Sequence, residues 1–413
     1  MSDTDLHRVA NWVISRSLDG ASETELLEGI CDQVRAVGVE VARAMAIVDT
    51  LHPVYEGRAF RTRNDGVEES TVIEYRATSS GPAAENWRTS AFYYLFTSGE
   101  AQVRRRIAHG DPLDFNSLEQ LRKEGQTDYV AFSQPFASEG RIGELDCVYS
   151  SWSTRRPDGF RDDDVAMLRK LMPVFALAIK CASLARIAGT LVEVYLGRDA
   201  GQRVLAGRIA RGVADRINAV LWFSDLRGYT TISDSAPPDE IIPLLNDYAD
   251  AVISAIHANG GEVLKLIGDG TLAIFRTDGG IADQADACRR ALAAEASLRA
   301  HVAAVNERRA REGRPTTSVY LGLHVGDVFY GNIGSDDRLD FTVVGPAVNE
   351  VSRIASMCRS VDRSVVLSAD FAAATPATER AHLVSVGRFA LRGVGRAQEL
   401  FTLDPALMQR TSS

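Results

Sequence analysis

Two carboxylates, Asp225 and Asp269, stand where they could hold divalent metal ions against a polyphosphate. Asp225 lies in residues 218–230, NAVLWFSDLRGYT. Residues 220–223 form an apolar run with β-branched and aromatic content, which predicts a buried strand. Gly228 marks a turn, and residues 230–235 lead into a helix-like pattern. Asp225 then sits just beyond a strand's carboxyl end, where successive backbone N–H groups can face an anion. Asp269 lies in Gly268-Asp269-Gly270, between the apolar runs 262–267 and 271–275, at the tip of an expected hairpin. Taken singly, Asp225 reads as a helix cap and Asp269 as a turn aspartate. Side by side at neighbouring strand ends they would repel, and two divalent metals would relieve that cost.

The elements that must position this pair follow in order. Pro237-Pro238-Asp239-Glu240 starts a helix whose apolar face is Ile242, Leu244, Leu245, Tyr248, Val252 and Ile256, and Asn259-Gly260-Gly261 ends it. Residues 281–311 predict a long alanine-rich helix. Strands are expected over 317–324 and 327–330, joined by Val325-Gly326, and over 338–344. A helix over 347–358 carries Asn349 and Arg353 four apart on one face. The order β-α-β-β-α-β is ferredoxin-like, with further elements appended, in an α+β fold.

The four stretches FSDLRGYT, LKLIGDGTLAIF, GLHVGDVFYGNIG and RLDFTVVGPAVNEVSRIA occur in that order. On them, residues 215–403 resemble the catalytic domain of class III nucleotidyl cyclases. The resemblance implies that Asp225 and Asp269 bind two ions, Mg²⁺ or Mn²⁺. Backbone groups around Phe223, Ser224, Leu226, Arg227 and Gly228 would complete the metal and phosphate site. Lys265 would read the adenine of ATP with Thr342 as its polar partner, Asn349 would orient the ribose, and Arg353 would stabilise the transition state. In FALRGVGRAQELFTL, Arg392 is the first choice for a phosphate contact and Arg396 the second. The family divides these residues between two subunits, so a head-to-tail homodimer is implied. The expected product is cyclic AMP. This agrees with the chemistry, since attack of an alkoxide on phosphorus needs charge stabilised on both entering and leaving oxygens. Each residue also has a plainer reading: Lys265 as a strand-edge charge, Asn349 as a cap, Arg353 as a surface ion pair, Arg392 as a solvated loop residue.

Two departures stand out. Gly345-Pro346 replaces the family's Gly-Asp, and Thr342 replaces the commoner aspartate, as in the subset that includes bicarbonate-responsive cyclases. A guanylate cyclase is the near alternative, and Lys265 argues against it. A diguanylate cyclase is set aside because Gly260-Gly261-Glu262 continues as Val-Leu. A silent nucleotide-binding or ligand-sensing module is the alternative from another class.

The N-terminal part, residues 1–180, reads as a smaller α+β domain. Ser22-x-x-Glu25 is a capping box. Strands are expected over 42–51, 71–76, 129–136 and 142–151, with a turn at Ser138-Glu139-Gly140, and a helix over 86–96. From Asp162 a helix runs through Val165, Leu168, Leu171, Phe175 and Ile179. The closing strands and Gly159-Phe160-x-x-x-Asp163 resemble a GAF domain, which implies dimerisation or an unidentified small-molecule effector. Trp87, Tyr93, Tyr94 and Phe96 could line its pocket, or simply fill a core. In the connector, 181–217, the positions Leu177, Cys181, Leu184, Ala188, Leu191 and Tyr195 form a short heptad seam. It fits a parallel connector between subunits or a single packed helix. The catalytic part is 218–413.

A chain of 413 residues needs at least two domains, and its net charge of −9 gives no reason to expect nucleic acid or anionic membrane. Arg104, Arg105 and Arg106 read as a solvated face. Five scattered cysteines without C-x-x-C spacing predict reduced structural thiols, with no zinc site and no disulfide framework. The N-terminus lacks a secretory h-region. The most apolar run, 172–185, contains Pro173 and Lys180 and falls short of a membrane span. A cytoplasmic location is expected.

Overall fold

Ser22 starts the second helix by the expected reciprocal cap: its Oγ accepts from Glu25 N at 3.3 Å, and Glu25 Oε2 accepts from Ser22 N at 2.8 Å. The computed structural model describes residues 3–64, 72–76, 78, 81–137, 142–143, 145–277 and 280–404. Contacts divide the chain into two units, Met1–Leu191 and Val192–Ser413.

The first unit opens with α1 (Asp3–Leu18) and α2 (Glu23–Ala36), followed by β1 (Arg43–Asp49), β2 (Gly57–Arg63) and β3 (Val72–Tyr75). Next come α3 (Gly81–Arg88), α4 (Ala91–Ser98), β4 (Gln102–Arg105), α5 (Leu118–Lys123), β5 (Asp128–Pro135), β6 (Cys147–Thr154) and α6 (Asp162–Leu196). The strands form one antiparallel sheet, ordered β3-β2-β1-β6-β5-β4. α1, α2 and α6 pack on it through Val13, Leu26, Ile30, Trp152 and Phe175, while Phe92, Leu95, Leu118 and Tyr129 build a second core.

Several expectations change here. The single helix over 86–96 is two, because Ser90 Oγ accepts from Tyr93 N at 3.1 Å and starts a new helix. The last strand begins at Cys147, not at 142, and the turn at 138–140 lies outside the described residues. The helix from Asp162 and the seam positions up to Tyr195 lie on one element: α6 is a single helix of 35 residues with Pro173 inside it. Contrary to the reading of 172–185, α6 is long and apolar enough to cross a membrane, with 44% of its most apolar stretch buried. Within the first unit it contributes core residues Val165, Leu168, Leu171, Phe175, Ile179 and Ile187. Of the seam positions, Leu184 and Leu191 lean on that core, whereas Leu177 (59%) and Tyr195 (82%) are exposed.

The second unit contains α7 (Arg198–Leu205), β7 (Ala214–Leu226), α8 (Tyr229–Ser235), α9 (Pro238–Ala258), β8 (Glu262–Ile267), β9 (Gly270–Arg276) and α10 (Ile281–Arg311). It continues with β10 (Val319–Gly334), β11 (Leu339–Val344), α11 (Pro346–Val361), β12 (Val365–Ser368), α12 (Ala369–Ala374), α13 (Ala377–Arg380), β13 (Leu383–Phe389) and β14 (Gln398–Leu403). The sheet runs β13-β14-β12-β10-β7-β9-β8, with β11 on β10. β7 lies inside the sheet, between β10 and β9, and its alternation decides what faces what. Val220 and Trp222 pack with α9 and α10, while Ala219 and Leu221 pack with α11.

The two strands expected over 317–330 are one strand, and Gly326 is no turn. A Cβ there would lie 2.6 Å from Ala347 Cβ, and one on Gly322 2.6 Å from Ala355 N. Both glycines let α11 approach the sheet. α9 and α10 are clamped by Arg309, fully buried, which donates to Asp247 Oδ2 at 2.6 Å, Glu240 Oε2 at 3.2 Å and Pro315 O at 2.7 Å. Arg309→Ala removes the buried partner of two carboxylates, leaving Asp247 to Arg308 and Glu240 to Arg314, and opens a cavity. It should cost about 2–3 kcal/mol, read as a lower denaturant midpoint at unchanged m-value.

Candidate active site

Asp225 is the penultimate residue of β7, opposite Tyr320 of β10. The β8–β9 hairpin brings the second carboxylate to it. Ile267 pairs with Gly270 across a two-residue turn, and Gly268 takes φ 61°, the positive value a tight hairpin needs at its first central position. β9 pairs with β7 at Thr271–Ser224, so the hairpin tip folds against the end of β7. There Leu226 N donates to Asp269 Oδ2 at 3.1 Å. Asp225 itself is half-buried, and its Oδ1 is buried without a hydrogen-bond partner. Burial, and then the Asp269 charge, pushes its carboxyl up to about 6. An orphaned buried carboxylate oxygen beside a second carboxylate is a donor set that hard divalent cations fit, since their charge removes both causes of the shift.

The neighbouring positions divide by strand alternation. Ser224 is buried, its Oγ accepts from Trp222 Nε1 at 3.1 Å, and its side chain lies on the face opposite Asp225. Only its backbone could serve a ligand at Asp225. Phe223 is half-buried in the strand, and Gly228, at φ 69°, turns the chain into α8.

Lys265 is exposed on β8, and Thr342 lies on β11 of the same unit. Lys265 forms an ion pair with Asp340, two residues earlier on β11. Asp340 is the residue that reading the sequence missed. A signal for it exists: residues two apart on a strand share a face, so a candidate at Thr342 brings Asp340 with it.

Asn349 and Arg353 lie one turn apart on α11. Pro346 occupies the first turn, where its missing N–H would have had no intrahelical acceptor, so the departure Gly345-Pro346 starts the helix instead of disturbing it. The Arg353 guanidinium lies beside Gly393, whose Cβ would come within 3.2 Å of its terminal nitrogens. That position belongs to the loop carrying Arg392 and Arg396. Among the described residues Arg353, Arg392 and Arg396 have no carboxylate partner, and Arg353 makes no ion pair with Asp225 or Asp269 of its own chain.

In the first unit, Tyr75, Trp87, Phe96, Tyr149, Asp49 and Glu56 line a cavity of about 310 Å³. Tyr94, expected beside them, packs on Phe115 at 5.8 Å between ring centres. All five cysteines are free, and Cys181 alone is exposed among them.

Residues 214–404 match the adenylate and guanylate cyclase catalytic domain family. An adenylate cyclase of Anabaena cylindrica is 35% identical over 161 residues, which cover 38% of this chain and 30% of that protein. Adenylate cyclase 1 of Rhizobium meliloti is 30% identical over 186 residues, 45% of this chain and 27% of its own length. The crystal structure of the guanylyl cyclase Cya2 aligns with a TM-score of 0.40 at 27% identity, covering 46% of this chain and 93% of that one. The chain thus spans less than a third of the length of these two curated relatives.

Proposed function

Because residues 214–404 are an adenylate and guanylate cyclase catalytic domain, we propose that the protein is an adenylate cyclase, forming 3′,5′-cyclic AMP and pyrophosphate from ATP. The observation that carries the reading is the Asp225–Asp269 pair, with one buried oxygen lacking any protein partner. These two carboxylates would hold two divalent ions, Mg²⁺ or Mn²⁺, which supply charge neutralisation at the polyphosphate and the 3′-oxygen. The chain's own groups do the rest. Lys265 donates to an adenine ring nitrogen, and Thr342 and Asp340 offer oxygens to the exocyclic amine. Asn349 holds the ribose, Arg353 neutralises charge growing at the α-phosphate, and Arg392 or Arg396 binds the outer phosphates.

The same reading makes the protein a homodimer, with Arg353 and Asn349 serving the partner's carboxylates. Exposed Leu266 and Ile267 on β8, and the cross-strand pair Phe329–Val344, supply apolar surface for it. The first unit is read as a GAF-like sensory domain whose aromatic cavity takes a small effector. α6 is read as the helix leading from that domain. The protein is read as cytoplasmic, without membrane or nucleic acid as partner.

The test is cyclic-nucleotide production by the purified protein with ATP or GTP, under Mg²⁺ or Mn²⁺. Cyclic AMP from ATP supports the reading, and cyclic nucleotide formed from GTP but not from ATP sinks it. A guanylate cyclase is the second reading, favoured by one observation: the Asp340 carboxylate beside Lys265 could accept from guanine N–H groups. Base choice is therefore set at Lys265. Lys265→Glu should lower kcat/KM for ATP by about 10–100-fold and raise the GTP-to-ATP preference, because it leaves ring nitrogens facing an acceptor. Competition assays with both nucleotides read this directly.

A further inference from the structure

Away from the Asp225–Asp269 pair, the second unit gathers three side chains that no catalytic role uses. His324 of β10, Glu350 of α11 and Asp370 of α12 each present one ligand atom, all within 4.8 Å of one another. His324 is 4% exposed. Its Nδ1 lies 2.9 Å from the Ser368 hydroxyl, which also caps α12 by accepting from Phe371 N at 3.0 Å. Ser368 has a second lone pair for an Nδ1–H, and that tautomer leaves Nε2 with its lone pair aimed out of the strand. Nε2 faces Glu350 Oε2 at 4.0 Å, too far for a hydrogen bond. The other Glu350 oxygen, Oε1, accepts from Gln398 Nε2 at 2.5 Å, which fixes the carboxylate's orientation. The Asp370 side chain makes no hydrogen bond or ion pair among the described residues.

From this geometry we propose that His324, Glu350 and Asp370 bind a transition-metal ion of the Zn²⁺ class, separate from the ions read at Asp225 and Asp269. A buried imidazole nitrogen with no direct partner, opposed by two carboxylates from different elements, is a borderline-soft N/O donor set. It suits Zn²⁺, Co²⁺ or Ni²⁺ better than Mg²⁺ or Ca²⁺, which take oxygen ligands. Tetrahedral zinc keeps its ligand atoms about 3.3 Å apart, so the ion would draw these atoms inward by roughly 1 Å. Ser368 and Gln398 act as the outer partners that hold a metal-binding imidazole and carboxylate in place. Burial lowers the imidazole's pKa, against the pull of Glu350 and Asp370, which favours the neutral ring that ligates. Glu350 directly follows Asn349, so the ion would pin the start of α11 to β10 and α12. Asn349 and Arg353 both ride on that helix.

The experiment titrates chelator-treated full-length protein with Co²⁺ alone, then Zn²⁺, in a Cys181→Ser background that removes the exposed thiol. One equivalent of Co²⁺ with tetrahedral visible absorption, displaced by Zn²⁺, is expected. It should persist in Asp225→Asn/Asp269→Asn and weaken about tenfold or more in His324→Gln and in Asp370→Asn. Asp370 is exposed, so its variant tests the site even if the buried His324 variant fails to fold. Unchanged affinity in Asp370→Asn, or loss of the equivalent in Asp225→Asn/Asp269→Asn, overturns the proposal. Neither readout depends on cyclase activity, so the binding claim stands or falls apart from the catalytic reading.

Discussion

Asp225→Asn is expected to lower cyclic-nucleotide formation by about 10³-fold or more while making the metal-free protein more stable. Both effects come from one carboxylate. Its pKa is raised to about 6, by burial first and the Asp269 charge second. The folded protein therefore holds a proton that the unfolded chain has already released between about pH 4 and 6. Stability falls as pH rises through that window, and the penalty stays constant above it. Asparagine keeps the shape and removes the charge. At neutral pH the chelated variant should be more stable by about 1 kcal/mol, allowing for solvent screening of a half-buried group. Melting curves across pH 4–8 read this directly: wild type should lose ground against Asp225→Asn up to about pH 6 and then run parallel. Mg²⁺ or Mn²⁺ should raise the wild-type melting temperature and leave the variant's nearly unchanged. A variant that retains activity, or melts with the same pH dependence as wild type, would contradict the assignment of Asp225.

The same residues show what the sequence could convey. The hairpin around Asp269 was legible because its information is local: a glycine able to take positive φ, between two β-rich runs, specifies the turn by itself. α10 was legible for a similar reason, as a long run of helix formers without interruption. β10 was misread because Gly326 looks like punctuation. Its actual cause is Ala347, 21 positions away, which needs the space a side chain would fill. Asp340 went unnoticed as the Lys265 partner because a cross-strand ion pair depends on how β8 and β11 come together, and neither strand's own residues state that. In the first unit, β2 and β4 escaped notice, being rich in arginine with little apolar alternation. Their place comes from the strands beside them, not from their own pattern. Pro346 illustrates the converse: proline breaks a helix in its interior and is well suited to the helix start it occupies here.

Arg353→Ala is expected to reduce kcat by about 10²–10³-fold with little change in KM, since a guanidinium aimed at charge that develops late contributes chiefly to the transition state. Whether that charge sits in its own subunit or the partner's has a sharper readout. In one chain the Arg353 guanidinium lies by Gly393 and makes no ion pair with Asp225 or Asp269. If each site takes Asp225 and Asp269 from one subunit and Arg353 from the other, the two inactive variants should complement. In a mixed dimer of Asp225→Asn and Arg353→Ala, one site collects both lesions and the other collects none. Mixed dimers purified through two different tags should then recover about half of wild-type activity, and a freely exchanging equimolar mixture about a quarter. If each subunit instead builds its site alone, every site in the mixed dimer carries one lesion and activity stays at the level of the variants. Because the expected gain is from near zero to a large fraction of wild type, partial unfolding cannot imitate it. A dually tagged dimer of correct mass that remains inactive would refute the shared site while leaving the carboxylate pair untouched.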